Sequence, residues 1–253
     1  VKAMMAELFG RSTGTNRGKG GSMHIADVDT GMLGANGIVG GGIPLVTGAA
    51  LTAQVKGSDH VAVGFFGDGA TNQGQFHESL TMASNWKLPA VYVCENNGFG
   101  EFTPTEFVVP VKDIVERAGS YGMRSAIADG MDFFDVYEKA GEAIDLARRG
   151  EGPTLLECKT YRFYGHYVGD QTPYRNKEEA EDWIQNRDPL DLFETRVSEA
   201  GILAPDDFRT VDGEVATYLA EVVQAAEEAP QPDIAEVLTD VYVNYKGGSP
   251  DVA

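Results

Sequence analysis

Two apolar runs held apart by one amphipathic segment constrain this chain more than any other feature of its sequence. HVAVGFF (residues 60–66) and PAVYVCE (residues 89–95) read as buried strands, and NQGQFHESLTMASNW (residues 72–86) between them carries apolar residues at helical spacing. Strand, helix and strand in so short a stretch predict a βαβ unit with parallel strands and a right-handed crossover. The pattern recurs as MRSAIADG (123–130), the helix DFFDVYEKAGEAIDLARRG (132–150) and the strand GPTLLECKTYRF (152–163). This alternation gives the fold class: α/β, a parallel sheet flanked by helices on both faces.

We read the 253 residues as a single domain, long enough to bury roughly three quarters of the unfolded surface. From about Lys177 the chain turns polar and helical, with DPLDLFETRVSEAG (188–201) and DGEVATYLAEVVQAAEEAP (212–230) as surface helices. Val1 falls inside an amphipathic helical pattern, VKAMMAELFGR, so a further N-terminal segment is expected upstream. The 31 glycines exceed the usual share of about 7%. They concentrate in the loop GRSTGTNRGKGGSMHIAD and in GANGIVGGGIP, which leads into the helical LVTGAALTAQVKG. Such a concentration serves either close helix packing or backbone brought up against a ligand.

A formal net charge of -19 repels nucleic acid and anionic membranes, so neither is expected as a partner. No apolar run approaches the ~18 residues a membrane span needs. Cys94 and Cys158 both lie in strand runs and form no CxxC pair, which reads as two reduced core thiols of a cytoplasmic protein. His60 is expected at the surface and His77 in a helix contact, with Trp86 and Trp183 as packing anchors.

In open parallel sheets ligands bind beyond the carboxyl ends of the strands. The first run ends there on Gly67-Asp68-Gly69, and the next ends on Asn96-Asn97. The glycines allow a sharp turn, and the helix that follows aims free N–H groups at an anion. Asp68 offers a carboxylate oxygen and Asn97 an amide oxygen, which with phosphate oxygens suit Mg²⁺ better than a soft metal. The pair reads as a clamp for a metal-bound diphosphate. Competing phosphate motifs fail: Asn72 stands where GxGxxG needs its third glycine, which removes a nicotinamide oxidoreductase. GTNRGKGG is one residue short of a P-loop and has Gly20 where Ser or Thr should follow Lys19.

GDG and NN at this spacing, together with GKGGSMH, GANGIVG, GDGATNQG, LPAVYVCENNGFG and TYRFYGH…D…YR, resemble the α subunit of the thiamine-diphosphate-dependent 2-oxo acid dehydrogenase E1 component, from about Lys2 to Tyr245. The resemblance implies thiamine diphosphate and Mg²⁺ as cofactors. Asp68, Asn97 and the backbone carbonyl of Phe99 would ligate the metal, and Gly37, Val39, Gly69 and Ala70 would line the cofactor. Arg162 and His166 would stand at the active-site mouth near diphosphate and substrate. Arg162 can pair bidentately with phosphate, and His166 can move protons near neutral pH. His24 is a further candidate for the entrance, the alternative being a structural loop role.

The family also places the glutamate that activates the cofactor, and the pyrimidine-binding half, on a separate β subunit. The resemblance therefore implies an α2β2 heterotetramer that serves a lipoyl-bearing E2. Pyruvate enzymes of the family commonly carry GHS in the loop that here reads GHYVGDQTPYR. Tyr167 replaces that serine and no serine follows before Lys177, so serine phosphorylation of this loop is not expected. The loop and ENNGFGEFTP look more like the acetoin-cleaving branch, in which acetoin releases acetaldehyde and its two-carbon unit passes oxidatively to the lipoyl group. Pyruvate or a branched-chain 2-oxo acid is the alternative substrate. A non-catalytic assembly module of the same fold is the rival from another class, and retention of Asp68, Asn97, Arg162 and His166 together argues against it.

Overall fold

The computed structural model describes residues 1–240, so the end of the family resemblance at Tyr245 lies outside the described residues. The described residues form two compact units: Ile38–Phe208, and Val1–Gly37 together with residues 209–240.

The larger unit holds the parallel sheet. Its elements in order are α2 (Gly42–Lys56), following α1 (Lys2–Leu8) of the other unit, then β1 (Ala62–Gly67), α3 (Gly74–Asn85) and β2 (Ala90–Asn96). A hairpin of β3 (Phe99–Gly100) and β4 (Thr103–Pro104) follows, then β5 (Arg124–Asp129), α4 (Phe133–Arg148), β6 (Thr154–Lys159), α5 (Lys177–Asn186) and α6 (Pro189–Glu199). The sheet runs β1-β2-β6-β5 with every neighbouring pair parallel. Because β6 inserts between β2 and β5, strand order departs from chain order beside β2, which is where such sheets open a crevice for ligands.

Alternation along the strands splits the core in two. Tyr92, Cys94 and Leu155 pack with Ile43 and Ala50 of α2 and with Phe76, Leu80 and Ala83 of α3. Val91, Val93, Leu156 and Cys158 pack with Ala143 and Ala147 of α4. Phe76, Leu80 and Ala83 follow the i, i+4, i+7 stripe that the sequence predicts for this helix. Tyr92 is sealed in with its hydroxyl 2.7 Å from that of Thr47, and burial pushes the phenol up to about 12.

One strand departs from expectation. HVAVGFF reads as a buried strand, yet β1 is one of the sheet's two edge strands and Phe65 is 68% exposed. A parallel edge strand has a neighbour on one side only, and apolar composition does not tell an edge from a centre. Trp86, expected as an anchor, is also 47% exposed, whereas Trp183 stacks on Tyr161 with ring centroids 5.2 Å apart. His77 makes its expected contact, Nδ1 lying 2.5 Å from the Tyr121 hydroxyl, and His60 is exposed.

Cys94 and Cys158 are free and buried on opposite faces, the register setting Glu157 opposite Cys94 and Glu95 opposite Cys158. Burial pushes both thiols up, Cys158 to about 11 and Cys94 further still. A thiol-specific disulfide reagent at pH 8 should therefore titrate no cysteine in the folded chain and both in denaturant; reaction of either in the folded state would contradict this packing.

The other unit comprises α1 (Lys2–Leu8), the glycine-rich loop, most of α7 (Pro205–Glu228) and a 3₁₀ turn at Ile234–Leu238. The last helix starts seven residues before the expected 212, with Pro205 opening it and Asp206 and Asp207 in its first turn. Arg11 Nη2 donates to the Glu227 carbonyl at 2.9 Å, and Arg17 pairs with Glu236 and Asp240. Among the described residues no helix is long and apolar enough to cross a membrane.

Candidate active site

The carboxyl ends of β1 and β2 deliver the two expected motifs. After Gly67 the chain turns through a 3₁₀ segment, Asp68–Asn72, fastened by Thr71 Oγ1 donating to the Asp68 carbonyl at 2.7 Å. Arg117 secures it from outside, donating to the Thr71 carbonyl at 2.5 Å and to Asn72 Oδ1 at 2.8 Å. Asp68 is 1% exposed. Its Oδ2 accepts a short hydrogen bond from the Thr105 hydroxyl, and its Oδ1 is buried with no hydrogen-bond partner.

Asn96 closes β2. Its Nδ2 donates to Glu157 Oε1 at 2.7 Å, and its carbonyl accepts from Thr160 N at 2.9 Å. Glu157 is fully buried; it also accepts from Val115 N at 3.0 Å and pairs with Lys159 Nζ at 2.5 Å. Burial alone would lower the Lys159 pKa, but the Glu157 and Asp113 carboxylates beside it raise it overall. Asn97 Oδ1 accepts from Phe99 N at 3.1 Å, turning the chain into the hairpin. Thr105 N donates to the Gly98 carbonyl at 2.9 Å, so the residue that holds Asp68 also holds the Asn97 turn.

The two motifs meet through backbone. A Cβ added to Gly100 would lie 3.1 Å from Gly69 Cα, and one on Gly69 3.0 Å from Gly100 Cα. A Gly100→Ala substitution should wedge the Asp68 turn away from the hairpin. If this site holds the cofactor that the resemblance implies, the expected result is a folded chain that, assembled with its expected partner, binds that cofactor about tenfold more weakly, read by titration; unchanged affinity would mean the contact is not needed for binding.

Arg162 and His166 sit on the segment after β6, supported by the same hairpin. Arg162 Nη2 donates to the Glu101 carbonyl at 2.7 Å and to the Tyr174 hydroxyl at 2.8 Å, and its guanidinium lies 5.7 Å from the Phe99 ring centroid. Its Nε is buried without a partner. The His166 ring meets Phe102 edge-on at 6.1 Å, and its backbone N donates to Asp170 Oδ2 at 2.8 Å. Asp170 also accepts from Thr172 N at 2.8 Å and from the Tyr174 hydroxyl at 2.5 Å. Arg175 grips the carbonyls of Arg162 and Phe163.

Of the remaining expected residues, Val39 accepts from Gln75 Nε2 at 2.9 Å through its carbonyl, and Ala70 turns its methyl into the core. His24 and Gly37 belong to the other unit. Thr105, Glu157 and Tyr174 complete this arrangement without having been singled out from sequence. Thr105 and Glu157 lie 37 and 61 residues from the side chains they hold, beyond the reach of any local pattern.

A sequence profile of the family described as Dehydrogenase E1 component matches residues 1–235. The α subunit of acetoin:2,6-dichlorophenolindophenol oxidoreductase from Cupriavidus necator is 50% identical over 96% of this chain and 73% of its own. Its Bacillus subtilis counterpart is 48% identical over 98% of this chain and 74% of its own. The pyruvate dehydrogenase E1 component subunit alpha of Rhizobium meliloti is 38% identical over 95% and 69%. The chain therefore belongs to the dehydrogenase E1 component family, as an oxidoreductase α subunit whose family implies thiamine diphosphate as cofactor and a β subunit as partner.

Proposed function

We propose that this α subunit, assembled with its β partner as an α2β2 heterotetramer, binds Mg²⁺ and the diphosphate of thiamine diphosphate and acts on acetoin, passing the acetyl unit to a lipoyl E2. The observation that carries the cofactor half is Asp68 Oδ1, a buried carboxylate oxygen with no partner at the end of a parallel strand. Such an atom is costly to leave unsatisfied, and a cation answers it.

The donor set fits the ion. Among the described residues no group of three or more His, Cys, Asp or Glu side chains is placed to hold a metal ion, and the charged ligand proposed here is Asp68. Asn97 Oδ1 and the Phe99 carbonyl add neutral oxygens, and Pro104, opposite Phe99 in the hairpin, has no N–H to offer that carbonyl. One carboxylate, neutral oxygens and phosphate is the hard, oxygen-rich set Mg²⁺ takes. Gly37, Val39, Gly69 and Ala70 are proposed to line the cofactor, with Gly69 letting backbone come close.

Thiamine diphosphate, when bound, supplies the carbon nucleophile and electron sink that side chains lack. This chain's residues bind, orient and handle protons. Arg162, held by Glu101 and Tyr174, presents a fixed positive charge to phosphate or substrate oxygens. His166, steadied by Phe102 and Asp170, is placed to exchange a proton with the substrate hydroxyl or carbonyl oxygen. His24 is proposed as a further proton-handling group, from the contact its ring makes within its own loop.

Greater likeness to the acetoin enzymes than to the pyruvate enzyme, and Tyr167 in place of the serine, support acetoin. The test is reduction of an artificial electron acceptor by the assembled enzyme, on acetoin and on pyruvate, with and without thiamine diphosphate and Mg²⁺. Cofactor-dependent turnover preferring acetoin is expected. A preference for pyruvate would move the substrate and keep the site; turnover indifferent to cofactor would overturn both.

A further inference from the structure

Glu7, on α1, takes no part in the function proposed above, yet its side chain is fully buried. Its Oε2 accepts from Asn16 N and Gly18 N, both at 2.8 Å, and its Oε1 from Gly20 N at 2.7 Å and Gly21 N at 3.1 Å. A buried carboxylate ordinarily faces a cation. Here four main-chain N–H dipoles converge on it instead, all from one loop. Burial pushes its pKa up, but those four donations outweigh it and hold the carboxyl below its ordinary value. The glycine-rich loop is thus wrapped around a single ionised side chain.

His24 closes that loop, with Nδ1 3.3 Å from the Gly20 carbonyl. A carbonyl only accepts, so this contact puts the proton of the neutral ring on Nδ1 and leaves Nε2 bare. The Gly20 residue is held on both sides: its N–H by Glu7, its carbonyl by the imidazole. A Cβ at Gly37 would stand 3.3 Å from both Cε1 and Nε2 of His24, so the missing side chain leaves that edge of the ring open.

We propose that Glu7 is a positioning residue which, through the Gly20 peptide, fixes the orientation and tautomer of His24 and presents Nε2 as a proton acceptor to the small-molecule substrate. The inference rests on the reading that His24 takes part in turnover. A purely structural clamp would stabilise the loop without regard to the imidazole; a positioning role makes the effects of residues 7 and 24 interdependent.

The experiment is a double-mutant cycle of Glu7→Gln and His24→Ala in the assembled enzyme, with turnover on acetoin as readout. Glutamine keeps the shape but turns an N–H group toward N–H donors. Glu7→Gln is expected to lower kcat by about ten- to a hundredfold while KM and thiamine diphosphate affinity stay within about twofold. In a His24→Ala background it should add nothing. Losses that multiply in the double variant, or a parental kcat for Glu7→Gln, would overturn the proposal while leaving His24's own role standing. If His24→Ala alone turns over like the parent, the reading of His24 falls and the proposal with it. Glu7→Asp, which keeps the charge and shortens its reach, carries the same cycle should the glutamine variant fail to assemble, with the same outcomes.

Discussion

Replacing Asp68, the proposed metal ligand, by asparagine is expected to lower turnover of the assembled enzyme on the order of a thousandfold, the several kcal/mol that a charged ligand of a metal supplies, and to remove the proposed Mg²⁺-dependent binding of thiamine diphosphate. Alanine should do the same. Stability should respond in the opposite sense. In the cofactor-free protein, Asp68 Oδ1 is an ionisable oxygen buried without a partner, a defect worth about 1–3 kcal/mol. Asparagine keeps an oxygen for the Thr105 hydroxyl and removes the buried charge, so the cofactor-free variant should melt no lower than the parent. With cofactor and Mg²⁺ at a hundred times their dissociation constant, the parent gains about 2.7 kcal/mol. That corresponds to roughly 5–11 °C in apparent Tm for a chain of this size, and the variant should gain none of it. An equal shift in the variant would remove Asp68 from the proposed metal site. A variant that melts well below the parent without cofactor would mean that Oδ1 has a structural partner.

Why the sequence discloses Asp68 but not Thr105 is a matter of range. Strand ends, the glycines beside them and the crossover helix are all local patterns, so the placement of GDG and of Asn96-Asn97 at the ends of neighbouring parallel strands follows from composition and spacing. The order β1-β2-β6-β5 does not, because it depends on which edge a later unit joins. For the same reason Phe65 could be read as buried. The partners that hold these side chains, Thr105 for Asp68 and Glu157 for Asn96, are tertiary contacts: β6 must lie beside β2, for example, before Glu157 can reach Asn96. Polar partnership in a core has no periodicity, and only the completed fold shows which buried atom lacks a bond.

Substituting Asp170 by alanine should lower kcat/KM on the order of a hundredfold, although the residue is not proposed to touch substrate or metal. Its two oxygens receive His166 N, Thr172 N and the Tyr174 hydroxyl, and Tyr174 in turn accepts from Arg162 Nη2. Removing the carboxylate frees the backbone of His166, the residue proposed to handle protons, and lets Tyr174 drift from the guanidinium, so both proposed functions should fail from one change. Tyr174→Phe should separate them. It breaks the link to Arg162 and leaves His166 N on Asp170, so it should weaken diphosphate or substrate binding more than kcat. Burial pushes the Asp170 carboxyl up, but the Tyr174 hydroxyl, two amides and the Arg162 charge hold it below its usual value. A depressed folded pKa contributes order that is fully present above the unfolded value of about 3.9 and is lost as pH falls through the folded one. The loop should therefore stay closed at every pH where the enzyme is assayed, and activity lost between about pH 5 and 7 must come from another group. Limited proteolysis between Tyr164 and Arg175 reads the same network directly: rapid cleavage in Asp170→Ala and slow cleavage in Tyr174→Phe are expected. An alanine variant with parental kcat/KM and parental resistance would show that the loop is held by Arg175 and the hairpin alone.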